Sequence, residues 1–96
     1  MNVLVTYDVN TETPAGRKRL RRVAKTCEGF GQRVQMSVFE CSLTNTQMEL
    51  MRGKLLDIIS PDSDSLRIYR LESRRNDAVE AYGRDDWMDL GAAIVL

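Results

Sequence analysis

Hydrophobic and polar positions alternate with a two-residue period from the start of the chain. In Val3-Leu4-Val5-Thr6-Tyr7-Asp8-Val9, the residues Val3, Val5, Tyr7 and Val9 share one face of a strand, and Leu4, Thr6 and Asp8 share the other. The first face reads as core against helices. The second is mixed and ends in an acid that is costly to bury without a partner. The period then becomes helical: Leu20, Val23, Ala24 and Cys27 fall at i, i+3, i+4 and i+7. Thr13-Pro14 supplies an N-cap followed by a proline at the first helical position, and Gly29 a stop, with Phe30 packing back on the last turn.

Residues 31–43 read as extended, with Val34, Met36 and Val38 alternating with Arg33, Gln35, Ser37 and Phe39. Strands typically run about 5–6 residues, so a bend or a split into two strands is expected near Gln35 to Ser37. No Asn-Gly or Asp-Gly fixes where the break falls. A second helix starts at Thr44, where Thr44 and Gln47 form a capping box and Leu43 and Met48 a hydrophobic staple; Thr46 with Glu49 is a competing box two residues on. Met48, Met51, Leu55, Ile58 and Ile59 supply its buried face, and Ser60-Pro61 ends it. Gly53 inside the helix costs roughly 1 kcal/mol relative to alanine, tolerable if close packing uses the space. Leu66 to Leu71 is a further alternating strand.

This order gives an α+β, ferredoxin-like βαββαβ antiparallel sheet over residues 1–71, with both helices on one face. The other face carries Leu4, Thr6 and Phe39, too apolar for open water, and the same face of a second copy is the simplest cover. Residues 72–96 form a tail. Its 72–91 portion reads as polar and loop-like, and Ala92-Ala93-Ile94-Val95-Leu96 as an extra C-terminal strand suited to an exposed sheet edge, its own or a partner's. Asp85, Asp86 and Asp89 around Trp87 lack the spacing of a calcium loop and read as balance for the basic half.

Charge changes the picture more than composition does. The chain has 96 residues, enough for one domain with a modest core, and a formal net charge of zero. Residues 14–33, however, hold seven bases (Arg17, Lys18, Arg19, Arg21, Arg22, Lys25, Arg33) against the single acid Glu28, leaving seven bases against thirteen acids elsewhere. Arg17, Arg21 and Lys25 form one i, i+4 row and Lys18 with Arg22 another. Such rows repel by a few tenths of a kcal/mol per pair unless an anion or acids from elsewhere compensate them. The polarity points to a polyanion-binding surface on the first helix, with the alternative of a solvated face neutralised by distant acids.

Absences narrow the chemistry. The chain has no histidine, which excludes paired-histidine ribonuclease chemistry, Ser-His-Asp and Cys-His triads and histidine-liganded zinc. No phosphate-binding glycine loop is present. Cys27 and Cys41 lack metal-type spacing, no export signal is visible and no apolar run reaches a membrane span, so a cytoplasmic protein with reduced thiols and no membrane partner is expected. Asp8, at the carboxyl end of a strand beside a basic helix, is placed to hold a metal and a phosphodiester; the plainer alternative is a turn acid.

Three stretches resemble one family. Tyr7-Asp8-Val9 closing the first strand before a basic helix, Gly31-Gln32-Arg33-Val34-Gln35-Met36-Ser37-Val38-Phe39-Glu40-Cys41, and Asp64-Ser65-Leu66-Arg67-Ile68-Tyr69-Arg70-Leu71 are similar to the CRISPR-associated protein two family, in register over 1–71. These are the small partners of the CRISPR integrase in spacer acquisition for antiviral defence. The resemblance implies a homodimer with two sheets packed together and the terminal strand joining the partner's sheet. It implies a Mg²⁺- (or Mn²⁺-) dependent endonuclease acting on single-stranded RNA or duplex DNA, with Asp8 as metal ligand and catalytic acid and Tyr7 beside it. Arg17, Arg19, Arg33, Ser37 and Phe39 match positions associated with the site or its surroundings, and Lys18 and Arg22 join them as bases of the first helix. The other reading is a non-catalytic duplex-binding scaffold that bridges two integrase dimers.

Overall fold

The computed structural model describes residues 1–72, 74–84 and 87. The elements run β1 (Asn2–Asp8), α1 (Pro14–Glu28), β2 (Gln32–Gln35), β3 (Val38–Ser42), α2 (Asn45–Ile58), β4 (Ser65–Leu71) and a one-turn helix α3 (Arg75–Ala78). The strands form one sheet in the order β2-β3-β1-β4, with every adjacent pair antiparallel. This is the expected βαββαβ arrangement. Within the tail, α3 corrects the reading of 72–91 as loop. The expected strand 92–96 and the acids Asp85, Asp86 and Asp89 lie outside the described residues.

The core follows from the strand alternation. Val3, Val5, Tyr7 and Val9 are buried on the helix side together with Val23 and Cys27 of α1 and Met48, Met51, Leu55 and Ile58 of α2. Thr13 caps α1, its side-chain oxygen accepting from the Gly16 amide at 3.0 Å, with Pro14 at the first turn. Gly16 is buried against the loop after β1, and a methyl there would run into the Asn10 carbonyl oxygen. Thr44 caps α2 with both halves of the capping box formed, which decides against the start at Thr46.

Three expectations are corrected. Phe39 is fully buried and pairs with Val5, so it faces the helices and not the outer face. Along β3 the buried set is Phe39 and Cys41, continued by Leu43 just after it, with Val38, Glu40 and Ser42 on the other face. The chain turns at Met36-Ser37, so the apolar set Val34, Met36 and Val38 of a single continuous strand does not form. Met36, placed by that alternation with the apolar set, is 81% exposed at the turn. Gly53 is not closely packed: a methyl there would meet nothing within 4 Å. Gly29 ends α1 as expected, with right-handed backbone (φ −73°).

The outer face, away from α1 and α2, carries Leu4, Thr6 and Asp8 of β1, Val38 and Glu40 of β3, and Ser65, Arg67, Tyr69 and Leu71 of β4, as the registers dictate. Leu4, Thr6, Val38 and Leu71 are half-buried, and Tyr69 is 44% exposed. Arg75 of α3 returns to this face, its Nε donating to the Glu40 carboxylate, and its guanidinium carbon lies 4.0 Å from the centroid of the Trp87 ring.

Candidate functional site

Asp8 closes β1 on the outer face, directly opposite Ser65 of β4, and its side chain is exposed. No described side chain hydrogen bonds to or pairs with its carboxylate. An acid used merely to close a turn accepts nearby amides, and the amide of Glu12 instead goes to Asn10 at 2.9 Å and that of Asn10 to Asp64 at 3.1 Å. Around Asp8 the outer face offers Thr6, Ser65 and, opposite Thr6, Arg67, which donates to the Tyr69 hydroxyl at 3.1 Å. Sequence reasoning assigned Arg67 to a strand and gave it no part in the site. Its place on Asp8's face emerges only from the β1–β4 register.

Tyr7 points the opposite way. It is 6% exposed on the helix side, its ring stacked with Phe39 at 6.2 Å between centroids. Burial, with the Cys27 sulfur next in weight, pushes the phenol above its ordinary value, against a smaller opposing effect of Arg33. As the alternation of β1 predicts, Tyr7 does not share the face of Asp8, because a strand sends neighbouring side chains to opposite faces. Tyr7 instead braces the hairpin tip beside the site: its amide donates to the Ser37 carbonyl at 3.2 Å, and its hydroxyl reaches the Met36 carbonyl at 3.4 Å.

The expected nucleic-acid residues separate into free and engaged groups. Lys18, Arg21, Arg22 and Lys25 are exposed along α1 without an ion pair among the described residues, and Arg17 is exposed with one nitrogen on the Thr11 carbonyl at 3.1 Å. Arg19 is committed to Asp64. Arg33 extends to Glu28 at 3.4 Å and lies over the Phe39 ring at 5.2 Å. Ser37 is half-buried in the hairpin turn. Phe39 is sealed in the core and cannot touch a nucleic acid; it supports Tyr7 and Arg33 from beneath. The distant acid Asp64 thus neutralises one of the seven bases of 14–33 and the neighbouring Glu28 another, which leaves five.

Asp64 is the structural residue that sequence reasoning missed. Its side chain is fully buried and accepts from Arg19 Nε at 2.8 Å, the Ser60 amide at 2.8 Å and the Asn10 amide at 3.1 Å. The Arg19 hydrogen bond, aided by these amides, holds its carboxyl below the usual range despite burial. One acid thereby ties together the loop after β1, helix α1 and the segment after α2, and so sets how the basic helix leaves Asp8's strand. The two cysteines are buried and free, and burial pushes their thiols up to about 12 for Cys27 and about 11 for Cys41, so neither is a nucleophile.

Among the described residues no group of three Cys, Asp or Glu side chains converges on a point that could hold a metal, and no helix is long and apolar enough to cross a membrane. Residues 1–79 match the family model described as CRISPR associated protein Cas2. The chain is 55% identical over 96 residues to the CRISPR-associated endoribonuclease Cas2 of Chlorobaculum tepidum, with all of both chains covered. It is 49% identical over 90 residues to the CRISPR-associated endonuclease Cas2 of Halalkalibacterium halodurans, covering 94% of each. The crystal structure of Streptococcus pyogenes Cas2 at pH 6.5 superposes with a TM-score of 0.77 and 57% identity, over 86% of this chain and 100% of that one.

Proposed function

The chain belongs to the Cas2 family, and we propose that it is a CRISPR-associated endonuclease whose phosphodiester hydrolysis depends on Asp8 and a divalent metal, acting as a homodimer. Endoribonuclease and endonuclease are the activities its relatives' names carry. The observation that supports this reading best is Asp8 itself, an exposed acid with no partner among the described residues, on the sheet face that α1 and α2 leave open.

One carboxylate per chain is too few for a cage within one protomer. It suits an ion that keeps most of its waters and takes one or two carboxylates with phosphate oxygens, as Mg²⁺ (or Mn²⁺) does. In this reading Asp8 and the same residue of a second copy hold the ion, because the half-buried Leu4, Val38 and Leu71 give the outer face an apolar surface to cover. Bound there, the metal would supply Lewis-acid polarisation of the phosphodiester and a more acidic water. Arg67 on the same face offers charge to the phosphate oxygens, and Tyr7 keeps the hairpin tip in place from the core side.

The five free bases of α1 support a second reading, a duplex-binding scaffold that bridges CRISPR integrase dimers without cleaving. The two readings part at Asp8. Purified protein is assayed on duplex DNA and single-stranded RNA with Mg²⁺ or excess chelator, beside an Asp8→Asn variant. Metal-dependent cleavage that vanishes in the variant, with nucleic-acid binding kept, supports the nuclease. Undiminished cleavage by the variant would remove Asp8 from the chemistry.

A further inference from the structure

Helices α1 and α2 leave between them a groove of about 530 Å³, lined in part by Arg22, Lys25, Phe30, Lys54, Asp57 and Ile58. Three cations face one acid there. None of these four charged groups belongs to an ion pair among the described residues. Lys54 Nζ lies 5.5 Å from the centroid of the Phe30 ring, a cation–π distance that favours one placement of an otherwise mobile ammonium. Like charges gathered in a concavity raise the local potential and concentrate anions.

We infer that this groove is a phosphate-binding site continuous with the basic rows of α1, at the surface of which a nucleic-acid backbone lies along the two helices, with Lys54 as the contact from α2. The inference rests on the reading that nucleic acid is what this protein binds, and not on catalysis at Asp8. The free bases from Arg17 to Lys25 span about 12 Å of helix at 1.5 Å per residue. A backbone with closely spaced phosphates can meet such a row along its length. A protein partner would need exposed apolar anchors, and the groove's apolar members are the buried Ile58 and the half-buried Phe30. The helix layer and Asp8's face lie on opposite sides of the sheet, so this site grips nucleic acid without engaging the acid.

The test is the anisotropy of a short fluorescein-labelled DNA duplex titrated with protein over a series of KCl concentrations. Removing one phosphate contact lowers affinity and makes the log–log salt slope shallower by about 0.9. That change is expected for Lys54→Ala and for Lys54→Gln, whereas Arg70→Ala, a base on the edge strand outside the groove, leaves the slope unchanged. Lys54→Glu that keeps wild-type affinity and slope overturns the proposal, including the case in which the groove holds an acidic protein segment. Cleavage in Mg²⁺ is followed in parallel. Arg70→Ala keeps its rate, while Asp8→Asn loses cleavage and keeps its salt slope, so the groove and the catalytic reading fail separately.

Discussion

Arg19 grips Asp64 across 45 residues of chain, Nε to Oδ2 at 2.8 Å, and the carboxylate's remaining capacity goes to the amides of Asn10 and Ser60. The pair consumes a base that the charge pattern alone assigns to nucleic acid, and turns it into the strut that seats α1. Breaking a buried pair from one side leaves a charge without compensation. Asp64→Asn is expected to cost about 3 kcal/mol at neutral pH, somewhat eased by the partial exposure of Arg19. Urea denaturation followed by circular dichroism measures it.

The same carboxylate gives the fold an acid-sensitive term. Its pKa is lower folded than unfolded, so its contribution is complete above the unfolded value of about 3.9 and is lost as pH falls through the folded value. Unfolding free energy measured from neutral pH down to about pH 2 is expected to decline below about pH 4. The decline should be shallower in Asp64→Asn, which has no proton to take up there.

Gly53 sits exposed in α2 with free space where a side chain would be. Gly53→Ala is therefore expected to stabilise the protein by up to about 1 kcal/mol. A higher midpoint with unchanged nucleic-acid binding is the expected result; a lower midpoint would mean that something packs there in the assembled protein.

Phe39 should behave as a core residue. Phe39→Ala is expected to lose about 3–5 kcal/mol, a large part of the roughly 5–15 kcal/mol that holds a domain together. Phe39→Leu keeps most of the buried volume and should keep duplex affinity wherever it stays folded. Both are read by thermal denaturation beside a binding titration.

Tyr7→Phe separates bracing from catalysis. It deletes a hydroxyl whose bond to the Met36 carbonyl is long, at 3.4 Å, and leaves the ring stack on Phe39. The expected loss is about 1 kcal/mol or less of stability, with metal-dependent cleavage retained. Abolished cleavage in a folded variant would restore a chemical role for the phenol.

Period and capping chemistry made most of this fold legible: the alternation of β1, the Thr13-Pro14 and Thr44/Gln47 starts, and the 3.6-residue stripe of α1 all stand in the structure. What failed was register. The hairpin between β2 and β3 carries no Asn-Gly signal, and reading 31–43 as one alternation hid the Phe39, Cys41 and Leu43 set that faces the core. The site divides in the same way. Asp8 was visible because an acid ending an apolar strand is conspicuous, and the free bases of α1 because they crowd one helix. Asp64, Arg67 and Lys54 were not, since their meaning comes from partners or faces far along the chain. Arg19 and Arg33 could not be told from their free neighbours without knowing which acids reach them.

In the proposed nuclease one carboxylate is made useful by its twin. Mn²⁺ titrated into the purified protein and counted by electron paramagnetic resonance tests this directly, with the oligomeric state measured on the same sample. The predicted result is about one tightly held ion per two chains, lost in Asp8→Asn while the dimer persists. One ion per chain, or a count that Asp8→Asn leaves unchanged, would contradict it.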